Sequence, residues 1–418
     1  MKNLERVLGF VFLAALLVVG KSMLASEMLF FRLIVGLGLG YSLARGYTGF
    51  AGSVNRAVSN GSTKLMRALM FMFFISSIVV AAFMFGDAGE GTYNLWVNPI
   101  NFGLILGAGV FGFGMSMSQC CATGVLTDLS SGFTRAIITL FFFMFANFLA
   151  MPIQKTATWV TQSWFSTGDY RGVYFPDLFK WDGLNGYLGA LVLTGLIALA
   201  VVAVSYLYEK RRKAEGTYQV VPAELKDEAN DLVKVEDFDV VSEDTYNRLF
   251  VKPWKLKTAM GMIAVLFTVL FAVTKGGWGA SGPMGIWFGK ILMLFGASAE
   301  SLEAFTQTAA ASFEAPFFAN AVNVQNTGIA LGAVVYLLTA GIFKTTFMSE
   351  LKITPKQGAL YALGGFAMGA GARLANGCNV GGMYTPIASF SLAGWLFLLF
   401  MLLGGILGGK FNKAISNE

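Results

Sequence analysis

The feature that most constrains this chain is a series of about ten apolar runs, each close to the roughly 20 residues a helix needs to cross ~30 Å of hydrocarbon. They fall at 6–24, 28–44, 65–86, 102–118, 132–153, 186–208, 256–274, 327–346, 358–375 and 391–409. Composition agrees: of 418 residues, 56% are hydrophobic and 13% charged, against about 25% charged in a soluble domain. Glycine and phenylalanine are abundant, with 50 and 39 residues, as expected where helices approach closely in lipid. The expected fold is an all-α polytopic membrane protein with about ten transmembrane helices. The first run, in MKNLERVLGFVFLAALLVVGKSM, has no small-x-small cleavage site after it and reads as a retained helix.

One stretch breaks the pattern. Residues 209–254 begin EKRRK, continue through Glu224, Asp227, Glu228 and Asp231, and contain no long apolar run. They read as a solvated linker between an N-terminal membrane half, 1–208, and a C-terminal half, 255–418. Lysine and arginine cluster between runs at alternate ends, including Arg45, Arg56, Arg67, Arg211, Lys255, Lys356 and Lys413. By the positive-inside rule this places both termini and the linker in the cytoplasm of a multi-pass bacterial inner-membrane protein. The net charge of +6 then reports orientation in the lipid bilayer, and nucleic acid is not an expected partner. Segments 87–101 and 154–185 face outward, and 275–326 reads as re-entrant or interfacial.

The halves contain a repeat. GFGMSMSQCCATG, Gly112 to Gly124, aligns with GAGARLANGCNVG, Gly369 to Gly381, matching Gly112, Gly114, Cys121 and Gly124 to Gly369, Gly371, Cys378 and Gly381. Each copy sits between two apolar runs, and the topology inverts one copy relative to the other. Inverted repeats whose broken helices meet near the midplane are a transporter architecture, because irregular backbone at that depth survives only where protein or a cavity surrounds it. Two inverted-repeat halves with short re-entrant Gly-Cys helices are therefore expected, with a pore or site between them.

The candidate substrate-path residues follow. Cys121 and Cys378 occupy equivalent places, Cys120 aligns with Gly377, and Gly124 and Gly381 let the backbone turn and be approached. A short helix starting there offers N–H groups to an anion, and a thiol beside it is a weak donor or acceptor. Buried cysteine is also ordinary packing. Gln119, Asn376 and Asn379 supply amides that either meet oxyanion oxygens or cap helices. Arg373, inside an apolar run, either attracts an anion or is satisfied by snorkelling, by Asp128 or by a carbonyl. The absence of histidine removes imidazole metal sites and Ser-His-Asp triads. No P-loop, dinucleotide fingerprint or nucleophile elbow is present, so no cofactor is expected and a transporter is favoured over an enzyme. Two other readings stay open: Cu(I) handling by the soft cluster Met115, Met117, Cys120 and Cys121, and thiol redox or persulfide chemistry at the vicinal cysteines.

The blocks GAGARLANGCNVGGMYTPIASFSLAGWLF, Gly369 to Phe397, and FGFGMSMSQCCATGVLTDLSSG, Phe111 to Gly132, resemble the YeeE/YedE family of sulfur-transport membrane proteins, whose best understood members are thiosulfate permeases. The resemblance implies an hourglass-like helical protein whose Gly-Cys turns approach from both faces and whose cysteines line the path of a small sulfur-containing anion, thiosulfate first, with other sulfur or selenium species as alternatives. It assigns Cys378 to the family's GC[NT] motif and Cys121 to the partner repeat. A further family cysteine, in an R-x-x-x-C-F motif, falls at Gly49 before Phe50 and is absent here. A cytoplasmic sulfur-carrier protein is a further candidate partner.

Overall fold

The computed structural model describes residues 2–86, 92–221, 224 and 242–416. The acidic middle of the linker, including Asp227, Glu228 and Asp231, lies outside the described residues. The main helices are α1 (Lys2–Met23), α2 (Glu27–Gly46), α3 (Phe50–Asn60), α4 (Lys64–Gly86), α5 (Phe102–Ser118), α6 (Gly124–Asp128), α7 (Phe133–Leu149), α8 (Tyr187–Ala214), α9 (Leu256–Thr274), α10 (Met284–Leu294), α11 (Ala321–Thr339), α12 (Pro355–Leu374) and α13 (Leu392–Ser416). Among the described residues the regular structure is helical, joined by loops and turns and by two isolated bridges, Asn94 with Gly276 and Tyr174 with Ser391.

Every predicted apolar run is occupied by a helix. Among the described residues, seven helical stretches are long and apolar enough to cross a membrane: α1, α2 running on into α3, α4, α8, α9, α11 and α13. The lead-in helix α5 and its follower α7 have only 17 residues each. The segment 275–326 contains α10, of 11 residues, followed by short helical pieces. At ~1.5 Å per residue, α10 reaches only about half the hydrocarbon thickness.

The repeat extends well beyond the cysteine turns. Cys121 and Cys378 are 257 residues apart, and that spacing carries α1 onto α9, α4 onto α11, α5 onto α12 and α7 onto α13, each starting within four residues of the expected place. Glycines report how the copies meet. A Cβ on Gly114 would come within 2.5 Å of the Gly364 carbonyl, and one on Gly371 within 2.5 Å of the Gly107 carbonyl. The pairs 107/371 and 114/364 run in opposite senses along α5 and α12, so the two lead-in helices are antiparallel. The same spacing converts one pair into the other, as a pseudo-two-fold axis in the membrane plane requires.

Each lead-in helix also lies along the follower of the other copy. Gly404 of α13 abuts Gly109 of α5, and Gly365 and Gly369 of α12 abut Thr139 and Phe143 of α7. The two sequence halves therefore interleave. The close approach of small residues maximises van der Waals contact, the main attraction between helices in lipid.

Side-chain ties gather both described ends of the chain and of the linker on one face. The Glu5 carboxylate accepts the Phe343 N–H at 3.0 Å, and the Tyr246 hydroxyl donates to the Thr339 carbonyl at 2.7 Å. The Trp254 N–H reaches the Arg45 carbonyl at 3.2 Å, and Lys356 contacts the Ile415 carbonyl. Buried Glu209, near the end of α8, accepts from Thr63 and Arg67, both at 3.0 Å, and from Lys213 at 2.8 Å. We refer to this side as the linker face.

Candidate functional site

Each lead-in helix stops at a left-handed residue, Gln119 with φ 58° and Asn376 with φ 56°. These positions are repeat equivalents. A left-handed residue ends a helix by turning its last carbonyls away from the axis, and asparagine tolerates that conformation better than most residues. The cysteine turns follow at once.

In the first turn the Cys121 Sγ accepts the Gly124 N–H at 3.2 Å and lies 3.4 Å from the Thr123 hydroxyl. The N–H expected to be free for an anion at the start of α6 is thus directed at the thiol, and α6 is a single five-residue turn. In the second turn the Cys378 carbonyl accepts the Gly382 N–H at 2.6 Å, at the start of a π-helical turn, Asn379–Tyr384. All three cysteines are free and buried. Cys121 and Cys378 are fully inaccessible.

Cavities approach these turns from both faces. On the linker face, a cavity of about 260 Å³ reaches Gln119, Cys120, Cys121 and Gly124, with Gly49, Arg56 and Arg135 on its wall. From the opposite face, a cavity of about 130 Å³ reaches Arg373, Asn376, Gly377 and Gly381, and is walled by Trp96, Asn147 and Gln154. An outer cavity of about 400 Å³ shares Trp96, Gln154 and Asn376 with it and adds Arg171. Cys378 and Asn379 line none of these three; they form the closed layer between the faces. Asn379 ties the second turn to α5 and α13 by donating its Nδ2 to the sulfurs of Met115 at 3.5 Å and Met401 at 3.2 Å. Its buried Oδ1 has no partner among the described residues.

Of the alternatives open for Arg373, the structure selects neutral partners. Its guanidinium donates to Asn147 Oδ1 at 2.9 Å, Gln154 Oε1 at 3.0 Å and the Gly282 carbonyl at 2.7 Å. Asp128 pairs instead with Arg135 at 3.2 Å, on the linker face. Gln154 also donates to Asn376 Oδ1 at 2.9 Å, so Arg373, Gln154 and Asn376 form one polar chain on the wall of the 130 Å³ cavity. Sequence reading missed Asn147, Gln154 and Trp96. The one available signal was a pair of amides within an otherwise apolar run, FFFMFANFLAMPIQ. Asn376 and Gln119 end helices through their backbones, while Asn379 makes no capping bond.

The sequence model of the family described as Sulphur transport matches residues 45–407. The thiosulfate transporter TsuA of Spirochaeta thermophila is 24% identical over 389 residues, covering 90% of this chain and 97% of the relative. TsuA of Escherichia coli is also 24% identical over 389 residues, covering 90% and 93%. The probable transporter YedE of Salmonella typhimurium is 30% identical over 171 residues, which span 39% of this chain and 39% of that relative. A match over most of the chain, an all-helical bundle of membrane-spanning length and a repeat built around two cysteine turns together place this chain in the Sulphur transport family of multi-pass membrane transporters.

Proposed function

We propose that the protein is a bacterial inner-membrane permease that imports a small sulfur-containing anion, thiosulfate first among the candidates, along a path marked by Cys378 and Cys121. One observation carries the reading: cavities from opposite faces end on equivalent cysteine turns of an inverted repeat, with Cys378 in the closed layer between them. Relatives named as thiosulfate transporters, aligned over 90% of the chain, support the substrate. The lysine and arginine clusters assign the linker face, with both termini, to the cytoplasm.

On this reading the anion arrives at Arg373 and Asn376, passes the bare backbone at Gly377 and Gly381, and meets the thiol of Cys378. It crosses the layer held by Asn379, then meets Cys121 and leaves past Gly124, Cys120 and Gln119. No bond to sulfur is made or broken. A thiol hydrogen bond contributes roughly 1 kcal/mol or less, on the net scale for hydrogen bonds. Weak sites in series suit conduction, because a tight site does not release. A soluble sulfur-carrier protein would take up the anion at the linker face.

The test is uptake of sulfur-labelled thiosulfate into proteoliposomes, with thermal unfolding in detergent as a control for folding. We expect saturable uptake by the unaltered protein and a fall of about fivefold in Cys378→Ser and Cys121→Ser, equivalent to ~1 kcal/mol on the barrier. Unchanged uptake in both serine variants rules out the cysteine path. No uptake by the folded, unaltered protein rules out thiosulfate and turns the assay to other sulfur or selenium species.

A further inference from the structure

We propose that Asp128, Glu350 and Glu224 are built-in counter-anions of the linker-face cavity, which occupy its arginines so that an anion leaving the Cys121 turn is released instead of held. This rests on the proposed anion transport and adds the residues that govern release.

The first observation is that two arginines stand where the anion must depart. The cavity of about 260 Å³ that reaches Cys120 and Cys121 has three charged side chains on its wall, Arg56, Arg135 and Asp128. A guanidinium is a permanently charged, planar fork for oxyanions, and two of them bare at the end of a path would hold a dianion too tightly to let it go. Each is instead met by a carboxylate. Arg56, on α3, pairs with Glu224 at 3.1 Å, and Arg135, on α7, with Asp128 at 3.2 Å and Glu350 at 3.5 Å. Three carboxylates against two arginines leave this group one negative charge in excess. On the opposite face, among the described residues, neither Arg171 nor Arg373 has a carboxylate within 4.0 Å. The compensation belongs to one end of the path.

The second observation is where the carboxylates come from. Asp128 closes the short helix α6 that follows Cys121, and Glu350 lies in the turn before α12. Glu224 is delivered by the linker. After α8, Arg212 donates to the Val58 carbonyl at 3.2 Å and the Gln219 N–H to the Asn60 carbonyl at 2.7 Å, which lays the linker along the end of α3. The Glu224 carboxylate is buried there and also accepts from the Ser62 hydroxyl. The linker thus carries a counter-charge to the cavity as well as joining the two halves.

The third observation is the geometry at Arg135. An arginine pair built for strength uses two parallel N–H bonds to one carboxylate. Here Nη2 alone serves both Asp128 and Glu350, while Nε is buried and has no partner among the described residues. An unpaired buried N–H costs stability, so this arrangement gives up hydrogen bonding to place two negative charges on one nitrogen. For a passive path these charges cannot set the direction of flow, which the gradient fixes. They set how long the anion stays.

Thiosulfate uptake into proteoliposomes tests this through the Michaelis constant and the maximal rate together. In Asp128→Asn, Arg135 keeps only the half-exposed Glu350, and both constants should fall about fivefold, as expected when a bound state is stabilised. Damage to packing would lower the maximal rate without lowering the Michaelis constant. Adding Arg135→Gln to Asp128→Asn removes the trap and should return the maximal rate to within about twofold of the unaltered protein. Glu350→Gln is the variant least able to disturb folding, since that side chain is 51% exposed. Its two constants should fall about twofold at low salt and converge on the unaltered values at high salt, where screening weakens the hold of Arg135. Michaelis constants that do not fall in Asp128→Asn and Glu350→Gln, or a maximal rate that the double variant does not restore, overturn the counter-anion role while leaving thiosulfate transport standing. Absence of uptake in the unaltered protein strikes the underlying reading instead.

Discussion

Leucine at Gly114 or at Gly371 should prevent the protein from reaching its folded state, and the two variants should fail to the same degree. A Cβ on Gly114 meets backbone on α12, the Gly364 carbonyl at 2.5 Å and the Met368 nitrogen at 2.8 Å. One on Gly371 meets backbone on α5, the Gly107 carbonyl at 2.5 Å and the Phe111 nitrogen at 2.7 Å. Backbone within a helix cannot rotate aside as a side chain can, so α5 and α12 must separate and the interleaved followers α7 and α13 with them. Overpacking a core costs typically 1–3 kcal/mol and occasionally more. Here the main interhelical attraction of the repeat is also lost, against a total stability of only about 5–15 kcal/mol. Gly109→Ala is the contrasting variant, since a Cβ there meets nothing nearer than the Phe400 carbonyl at 3.9 Å. It should be neutral or gain up to about 1 kcal/mol in helix propensity. Monodispersity and unfolding temperature in detergent read both outcomes, and normal folding of the leucine variants would refute the antiparallel crossing.

The second large effect is expected at one position of the repeat in one copy only. Cys120 and Gly377 are equivalents, yet the first turn carries a side chain and the second has no room for one. A Cβ on Gly377 would overlap the Gly382 nitrogen and come within 2.5 Å of the Gly381 carbon, because the chain folds back on itself as the Gly382 N–H closes onto the Cys378 carbonyl at 2.6 Å. Gly377→Cys, which would make the turns chemically alike, should therefore displace Cys378 and lower thiosulfate uptake at least as much as Cys378→Ser. The reverse change, Cys120→Gly, removes a small side chain from the wall of the linker-face cavity. It should retain most uptake, at a cost of about 0.5–1 kcal/mol in stability. If Gly377→Cys transports normally and Cys120→Gly does not, the more constrained turn has been assigned to the wrong copy.

What could be read from the amino acids and what could not divide along a physical line. The apolar runs, the equivalence of Cys121 with Cys378 and the break at the linker are local patterns, governed by hydrophobic length and by the residues each turn needs. The inversion also followed from the sequence, since counting runs between cationic clusters fixes the sense of each helix, and the antiparallel crossing of α5 and α12 agrees. Partner choice across helices is not local. Arg373 finds Asn147 and Gln154 at separations of 226 and 219 residues, while Asp128 is taken by Arg135 seven residues away. Nothing in the sequence near Arg171 shows that its cavity shares Trp96, Gln154 and Asn376 with the cavity of Arg373. The sequence by itself determined which segments form apolar helices and where the backbone breaks between them. Only the tertiary structure decided which cations are neutralised and which face water uncompensated, because charge compensation depends on distances of a few ångströms between helices that the chain brings together only when it packs.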